Sequence, residues 1–303
     1  MSSTLACIAG SAIYRLQEQG LFPAREIGRQ KTPFGASEVI YLVEETEAPY
    51  YLLPRHGAGK YRLSSAFANH RADLYALKDL GVQSVVSWTA AGAISHNYNV
   101  GDLVLVNDVI DRTTHRATTF FENTGIGVLR QFPVFCPHLR EGLAQSLQEM
   151  NCQYRPTGTL VVTEGPRLET PAEVRFFASA GGELISHNFA PEAFLAKELG
   201  LCYAGLAYIV NYAETGSRYR PFSANDLFGG LAASADTDRV TNAVNKLSEM
   251  MSRLSQYVAS HPLNCECRLS MRYEVNKHSL PEEWRQWFSL TGARGEPPAA
   301  PRP

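Results

Sequence analysis

Short apolar runs bounded by glycine, proline or polar residues recur along the chain, at residues 5–9, 38–43, 50–53, 84–88, 103–106, 159–163 and 203–210. Several are apolar throughout rather than alternating, the pattern of strands buried on both faces. Between them lie stretches with helical spacing at 66–80, 137–150, 171–180, 192–199 and 238–260. In the first, Phe67, Leu74, Ala76, Leu77 and Leu80 fall near one face. The second and third open on proline, which a first helical turn accepts. Strands alternating with helices predict an α/β fold of three layers, a mostly parallel or mixed central sheet flanked by helices.

Composition narrows the class. With 303 residues, 45% hydrophobic and 19% charged, the chain can bury one large continuous core. A net charge of −2 without long runs of like charge argues against a nucleic-acid groove or a membrane surface. No apolar run approaches the length of a membrane span. The opening Met-Ser-Ser-Thr-Leu carries no basic residue, so no signal peptide and a cytoplasmic location are expected. The six cysteines, Cys7, Cys136, Cys152, Cys202, Cys265 and Cys267, are scattered and read as reduced core residues. Cys265-Glu-Cys267 resembles half a metal site, but no second pair lies nearby in sequence, so no metal is expected. After residue 260 the texture changes: 6 of 17 prolines fall in the last 43 residues. The expected organisation is a domain over 1–260 and a partly disordered C-terminal extension over 261–303. Within that extension 281–288 has the makings of one amphipathic turn docking on the body.

Three strand-to-loop junctions end in small or polar residues: Ala9-Gly10-Ser11-Ala12, Pro54-Arg55-His56-Gly57 and Thr89-Ala90-Ala91-Gly92-Ala93. Ligands of open α/β sheets bind beyond the carboxyl ends of strands, so the three junctions can share a crevice. They would bring together two hydroxyls, a guanidinium, an imidazole and open backbone amides, an inventory suited to an oxyanion. The same small residues equally permit plain tight turns, and the pattern alone leaves both readings open. A fourth segment, Thr163-Glu-Gly-Pro-Arg-Leu-Glu-Thr-Pro-Ala-Glu173, ends a strand and opens a helix. Glu173 there fits a capping box with Thr170. Glu169 has no such duty and is free to accept from a ligand N–H.

In this order, and together with Gly101-Asp-Leu-Val104, Ala190-Pro-Glu-Ala-Phe-Leu-Ala-Lys-Glu198, Asp111-Arg-Thr113 and Asn69-His-Arg-Ala72, these motifs resemble the trimeric purine nucleoside phosphorylases. The methylthioadenosine and methylthioinosine phosphorylase branch is the most similar, over roughly residues 5 to 260. The resemblance implies phosphorolysis of a purine nucleoside to free base and sugar 1-phosphate. Inorganic phosphate would be co-substrate, with neither metal nor organic cofactor, in a cytoplasmic homotrimer of purine salvage. It assigns phosphate to Ser11, Arg55, His56, Thr89, Ala90 and Asn188. The nucleoside falls to Glu169, Asn211, His187, Ala91 and Leu168, and Asn211 and His56 are the implied catalytic residues. Asn211 stands where 6-aminopurine enzymes carry aspartate. Glu169 matches a glutamate that faces the N1 proton, and a carboxylate can only accept, which suits inosine, guanosine or 5′-methylthioinosine.

Two departures from the family pattern complicate this. Where relatives carry methionine and a hydroxyl residue before the Pro-Glu motif, this chain has His187 and Asn188. The Gly-Gly-Thr-Gly loop has become Ala9-Gly10-Ser11-Ala12. They keep two alternatives open: a nucleosidase or phosphorylase for a sugar-modified nucleoside, and a catalytically impaired nucleoside-binding homologue. The segment 216–230 looks longer than in relatives, so Arg218, Tyr219, Arg220 and Phe222 form either a 5′-group wall or a longer surface loop. Phe120-Phe121 matches a loop that the family extends toward a neighbouring subunit, the ground for expecting a trimer.

Overall fold

The computed structural model describes residues 4–214, 231 and 236–288. The expected 5′ wall at 216–230 and the end of the extension, 289–303, lie outside these residues. The strands are β1 (Leu5–Ala9), β2 (Arg25–Gly28), β3 (Lys31–Thr32), β4 (Gly35–Ala36), β5 (Ile40–Val43) and β6 (Tyr50–Pro54). After them come β7 (Ser84–Ala93), β8 (Leu103–Val106), β9 (Asp108–Arg112), β10 (Thr159–Thr163), β11 (Leu184–Ser186) and β12 (Cys202–Tyr212). Ten of these form one mixed sheet in the order β2-β5-β6-β1-β7-β11-β10-β9, with β12 beside β7 and β8 beside β12; β3 and β4 make a separate ribbon.

Every expected strand is present, and the sheet is mixed as anticipated. β1, β6, β7 and β12 are parallel, as are β9, β10 and β11, while β11 meets β7 antiparallel and β5 and β8 pair antiparallel with their neighbours. β7 runs further than its sequence suggested. Thr89–Ala93, read as loop because its residues are small, continues the strand, since β12 pairs along one edge while β1 and then β11 occupy the other. Neighbouring strands supply the order that side chains so small do not supply on their own.

Helices cover both faces. On one side lie α1 (Ala12–Glu18), α3 (Pro137–Glu149) and α6 (Asp236–Ser260), contributing Leu16, Leu143 and Leu247 to one apolar cluster. On the other, α2 (His70–Asp79) and α5 (Glu192–Glu198) supply Leu74, Leu77 and Leu195 to a second. The remaining helices are α4 (Pro171–Ser179), which carries the expected capping box between Thr170 and Glu173, and α7 (Arg272–His278). The helix expected over 66–80 is two pieces. Ser65–Phe67 is one 3-10 turn, and Asn69 caps α2 by accepting from the Ala72 amide. No described helix is long and apolar enough to cross a membrane.

Residues 261–288 do not trail away from the body. Met271, Leu280, Trp287 and Phe288 are buried in the same cluster as α2 and α5. The docking turn forms over Trp284–Phe288, and its Phe288 ring lies 5.4 Å from Phe34, 5.4 Å from Phe120 and 5.6 Å from Phe121. The Phe120 and Phe121 rings are buried, with Phe34 and Phe288 of the same chain among their neighbours.

Candidate functional site

The carboxyl ends of β1, β6, β7, β11 and β12 converge on one cavity of about 540 Å³. It is lined by Ser11, His56, Thr89, Ala90, Ala91, Leu168, Glu169, His187, Asn188 and Asn211, so ten of the eleven residues singled out from the sequence meet there. Arg55 does not. Its guanidinium is wholly buried, paired with Glu192 and donating to Ser87 Oγ at 2.7 Å and to the carbonyls of Ile8 and Trp88. Of its nitrogens only Nε lacks a partner. The expected phosphate ligand is therefore a strut. It locks the ends of β1 and β7 to the start of α5, through a partner 137 residues away that no local motif announces.

Glu192 makes that strut stable. Burial would raise its carboxyl, but Arg55 and His70 outweigh burial and hold it below the ordinary range, with Tyr203 and Ser87 also donating to it. A buried charge pair of this kind persists only when its remaining lone pairs are satisfied.

At one end of the cavity the side chains form a hydrogen-bonded net. Ser65 Oγ donates to Asn188 Oδ1 at 2.6 Å, and Asn188 Nδ2 donates to Thr89 Oγ1 at 2.7 Å. Thr89 Oγ1 also meets Ser186 Oγ at 2.9 Å, and Ser186 Oγ donates to the Ala90 carbonyl. Asn188 thus joins the net while keeping one amide hydrogen unspent. His56 sits in the same wall, stacked on Tyr61 with centroids 4.4 Å apart. Its Nδ1 faces the Leu63 carbonyl at 2.8 Å, which fixes the proton on that nitrogen because a carbonyl only accepts. Burial, aided by Arg55, lowers its pKa to about 4, so the ring is neutral at pH 7 with Nε2 an acceptor. Gly57 allows the turn behind it: its φ is +111°, and a Cβ would stand 2.9 Å from Arg62 Nε.

The other end is built from three segments. Glu169 accepts from Thr163 Oγ1 at 2.5 Å, and His187 Nδ1 lies 3.0 Å from the same hydroxyl and 3.9 Å from Glu169. Burial lowers the pKa of His187, against the pull of Glu169. Asn211 arrives through a break in β12: Ile209 pairs with Ala91 and Asn211 with Gly92, leaving Val210 as an extra residue. Adjacent strand residues normally face opposite ways, yet this bulge lets both Val210 and Asn211 line the cavity. Gly92 keeps the room open, since a Cβ there would meet Ile185 at 3.2 Å and Asn211 Nδ2 at 3.6 Å. Asn211 Nδ2 donates to the Tyr212 carbonyl at 2.8 Å and retains a second hydrogen.

Sequence reasoning passed over Arg116, Thr163, Ser65 and Ser186. Arg116 is buried and donates to Glu164 Oε1 and to the carbonyls of Thr163, Glu164, His187 and Ala190. It clamps the Glu169 approach to the His187 loop. A lone arginine in a polar stretch gave no sign of this. Thr163 was legible as the end of a strand, though not as the hydroxyl between Glu169 and His187.

The family model of the phosphorylase superfamily matches residues 4–254. The chain belongs to that superfamily. Among its relatives is the 6-oxopurine nucleoside phosphorylase of Pyrococcus furiosus, 34% identical over 69% of this chain and 79% of that protein. A probable S-methyl-5′-thioinosine phosphorylase of Methanothermobacter thermautotrophicus is 34% identical over 70% of this chain and 72% of that protein. In three dimensions the chain is similar to a methylthioadenosine phosphorylase sourced from an antarctic soil metagenomic library. The TM-score is 0.78 at 26% identity, with 96% of this chain and 99% of that one covered.

Proposed function

We propose that the protein is a pentosyltransferase that phosphorolyses a 6-oxopurine nucleoside, such as inosine, guanosine or 5′-methylthioinosine, to free base and sugar 1-phosphate. The observation that carries this reading is one cavity with a donor-rich net at one end and the Glu169–Asn211 pair at the other. Phosphate would sit among Ser11, the Ala90 amide, Thr89, Asn188 and His56. As a neutral acceptor, His56 Nε2 takes the anion's own P–O–H, leaving the charged oxygens to the donors. A phosphate oxygen then attacks the anomeric carbon as the bond to the purine breaks, and the dianion stabilises the oxocarbenium character of the sugar. The departing base gathers charge on its imidazole ring and O6. Asn211 answers with its spare Nδ2 hydrogen to O6, and its Oδ1 accepts from N7–H as solvent supplies the proton that the leaving base takes up, while Glu169 accepts from N1–H. Ala91 and Leu168 supply apolar walls. Arg55, in this reading, positions the loops without touching the anion.

The reading extends to inorganic phosphate as co-substrate without a metal or organic cofactor in the chemistry, and to a cytoplasmic homotrimer of purine salvage, as the sequence resemblance implies. A second reading, a nucleosidase or phosphorylase for a sugar-modified nucleoside, draws on His187, whose imidazole lines the cavity at the position where the sequence resemblance implies a methionine. Base release from inosine, guanosine, 5′-methylthioinosine and adenosine, followed by liquid chromatography with and without phosphate, tests both. Phosphate-dependent release of hypoxanthine or guanine is expected. Equal rates without phosphate indicate hydrolysis and overturn the first reading, as does a preference for adenosine.

A further inference from the structure

Cys136, Cys202, Cys265 and Cys267, far apart in sequence and expected to be scattered, place their four sulfurs within 4.8 Å of one another. Cys136 caps the N-terminus of α3, and Cys202 opens β12. Cys265 and Cys267 flank Glu266 on the segment that follows α6. The half-site recognised in Cys265-Glu-Cys267 therefore has its other half, supplied by the tertiary fold. All four are free thiols, and the Sγ atoms of Cys202 and Cys265 stand 3.4 Å apart. A disulfide needs a sulfur separation of about 2.05 Å. In a tetrahedral zinc site with Zn–S of about 2.3 Å, the sulfurs lie about 3.8 Å apart, which this cluster reaches with little movement.

The backbone holds the ligands in place independently. The Cys136 amide donates to the Tyr203 carbonyl, next to Cys202, and the Cys202 amide donates to the Gln83 carbonyl. Gly200, at φ +64°, brings its turn so close to the cysteine segment that a Cβ would touch Arg268 at 3.4 Å. Ser270 Oγ donates to the Lys197 carbonyl from the same segment. Two of the cysteines are buried and two half-buried, which leaves a closed site with no open position for a substrate. The α3 N-terminus, which Cys136 caps, favours thiolate there.

We propose that Cys136, Cys202, Cys265 and Cys267 bind one zinc ion in a structural four-thiolate site that fastens the C-terminal segment to the sheet. Binding releases four thiol protons and leaves a ZnS₄ centre of charge −2. The site lies at the opposite end of β12 from Asn211, so it stands apart from the chemistry of the cavity, whatever that proves to be.

The test uses the full chain, purified under reducing conditions without chelator. Mass-spectrometric metal analysis should find about one zinc per chain. Cobalt added to the metal-free protein should develop the thiolate charge-transfer and tetrahedral ligand-field bands of a sulfur-bound ion. Cys265→Ser with Cys267→Ser should lose both signals, whereas Cys152→Ser, outside the cluster, should keep them. Zinc below about one-tenth per chain together with a colourless cobalt titration overturns the proposal. So does a denatured, unreduced wild type with fewer than its six reactive thiols, which would show the cluster to be a disulfide pair. If the double variant fails to fold, the wild-type metal content and cobalt spectrum still decide.

Discussion

The two ends of β12 teach different lessons. At Asn211 the strand delivers a side chain into a cavity whose residues come from strand-end motifs, each a short local stretch of sequence. At Cys202, about 30 Å away along an extended strand of nine steps, it joins a cluster with one or two residues from each of three distant segments. The carboxyl end is written in local sequence because every parallel strand must stop there and turn, and turning demands small and polar residues. The amino end has no such signature. Only the fold brings residue 136 to residue 267.

Substitutions should separate the two ends, and the region between them, by what they disturb. Glu192→Ala is expected to have the largest effect. It strips Arg55 of its partner in a wholly buried setting, and such losses cost roughly 3–5 kcal/mol, read from urea denaturation. Phosphate-dependent turnover should collapse with it, since Arg55 aligns the β1 and β7 ends. A loss near 1 kcal/mol would mean that Arg55 is free to serve the cavity after all.

Asn211→Asp should leave stability close to wild type and act on specificity alone. The ratio of kcat/KM for 6-oxopurine over 6-aminopurine nucleosides should fall by roughly 10- to 100-fold, because a carboxylate cannot donate to O6. An unchanged ratio would remove Asn211 from the base site and erase the contrast between the strand's two ends.

The smallest effect on turnover is expected at Asp73, which belongs to neither end. Burial pushes its carboxyl up to about 7 from an ordinary 3.8, while the Glu38 amide donates to it at 2.7 Å. Between those values the unfolded chain ionises and the folded chain does not, so this group's contribution to stability declines as pH rises through that window and levels off above 7. Asp73→Asn removes the decline. The variant's stability relative to wild type should therefore grow between pH 4 and 7, by up to about 4 kcal/mol for a shift of that size, and then stay constant. A flat difference would show that Asp73 ionises freely in the folded protein. Kinetic constants for the nucleoside should not move.

Much of the molecule was legible before any coordinates. The strands announced themselves as apolar runs, the helices by period and by proline at their starts, and the cavity by Ser11, His56, Thr89 and Glu169 at strand ends. What escaped had long-range causes. Arg55 looked like an anion ligand because its tie to Glu192 spans most of the fold. Thr89–Ala93 looked like loop because the strands that order it are supplied from elsewhere in the chain. Phe120-Phe121 gave no sign of its partner Phe288, which lies about 170 residues further along the chain. The cysteines, finally, were judged by spacing, and spacing says nothing of a site closed in three dimensions.

The single extra residue in β12 carries a consequence for how such a cavity can change. Val210 shifts the phase of the strand at the point where it reaches the ligand. Loss of that one residue would restore an unbroken ladder against β7 and preserve the sheet, yet leave Asn without Val before the base. A one-codon deletion could thus rewrite what the pocket reads without disturbing the scaffold that holds it, a mode of divergence that substitution alone does not offer.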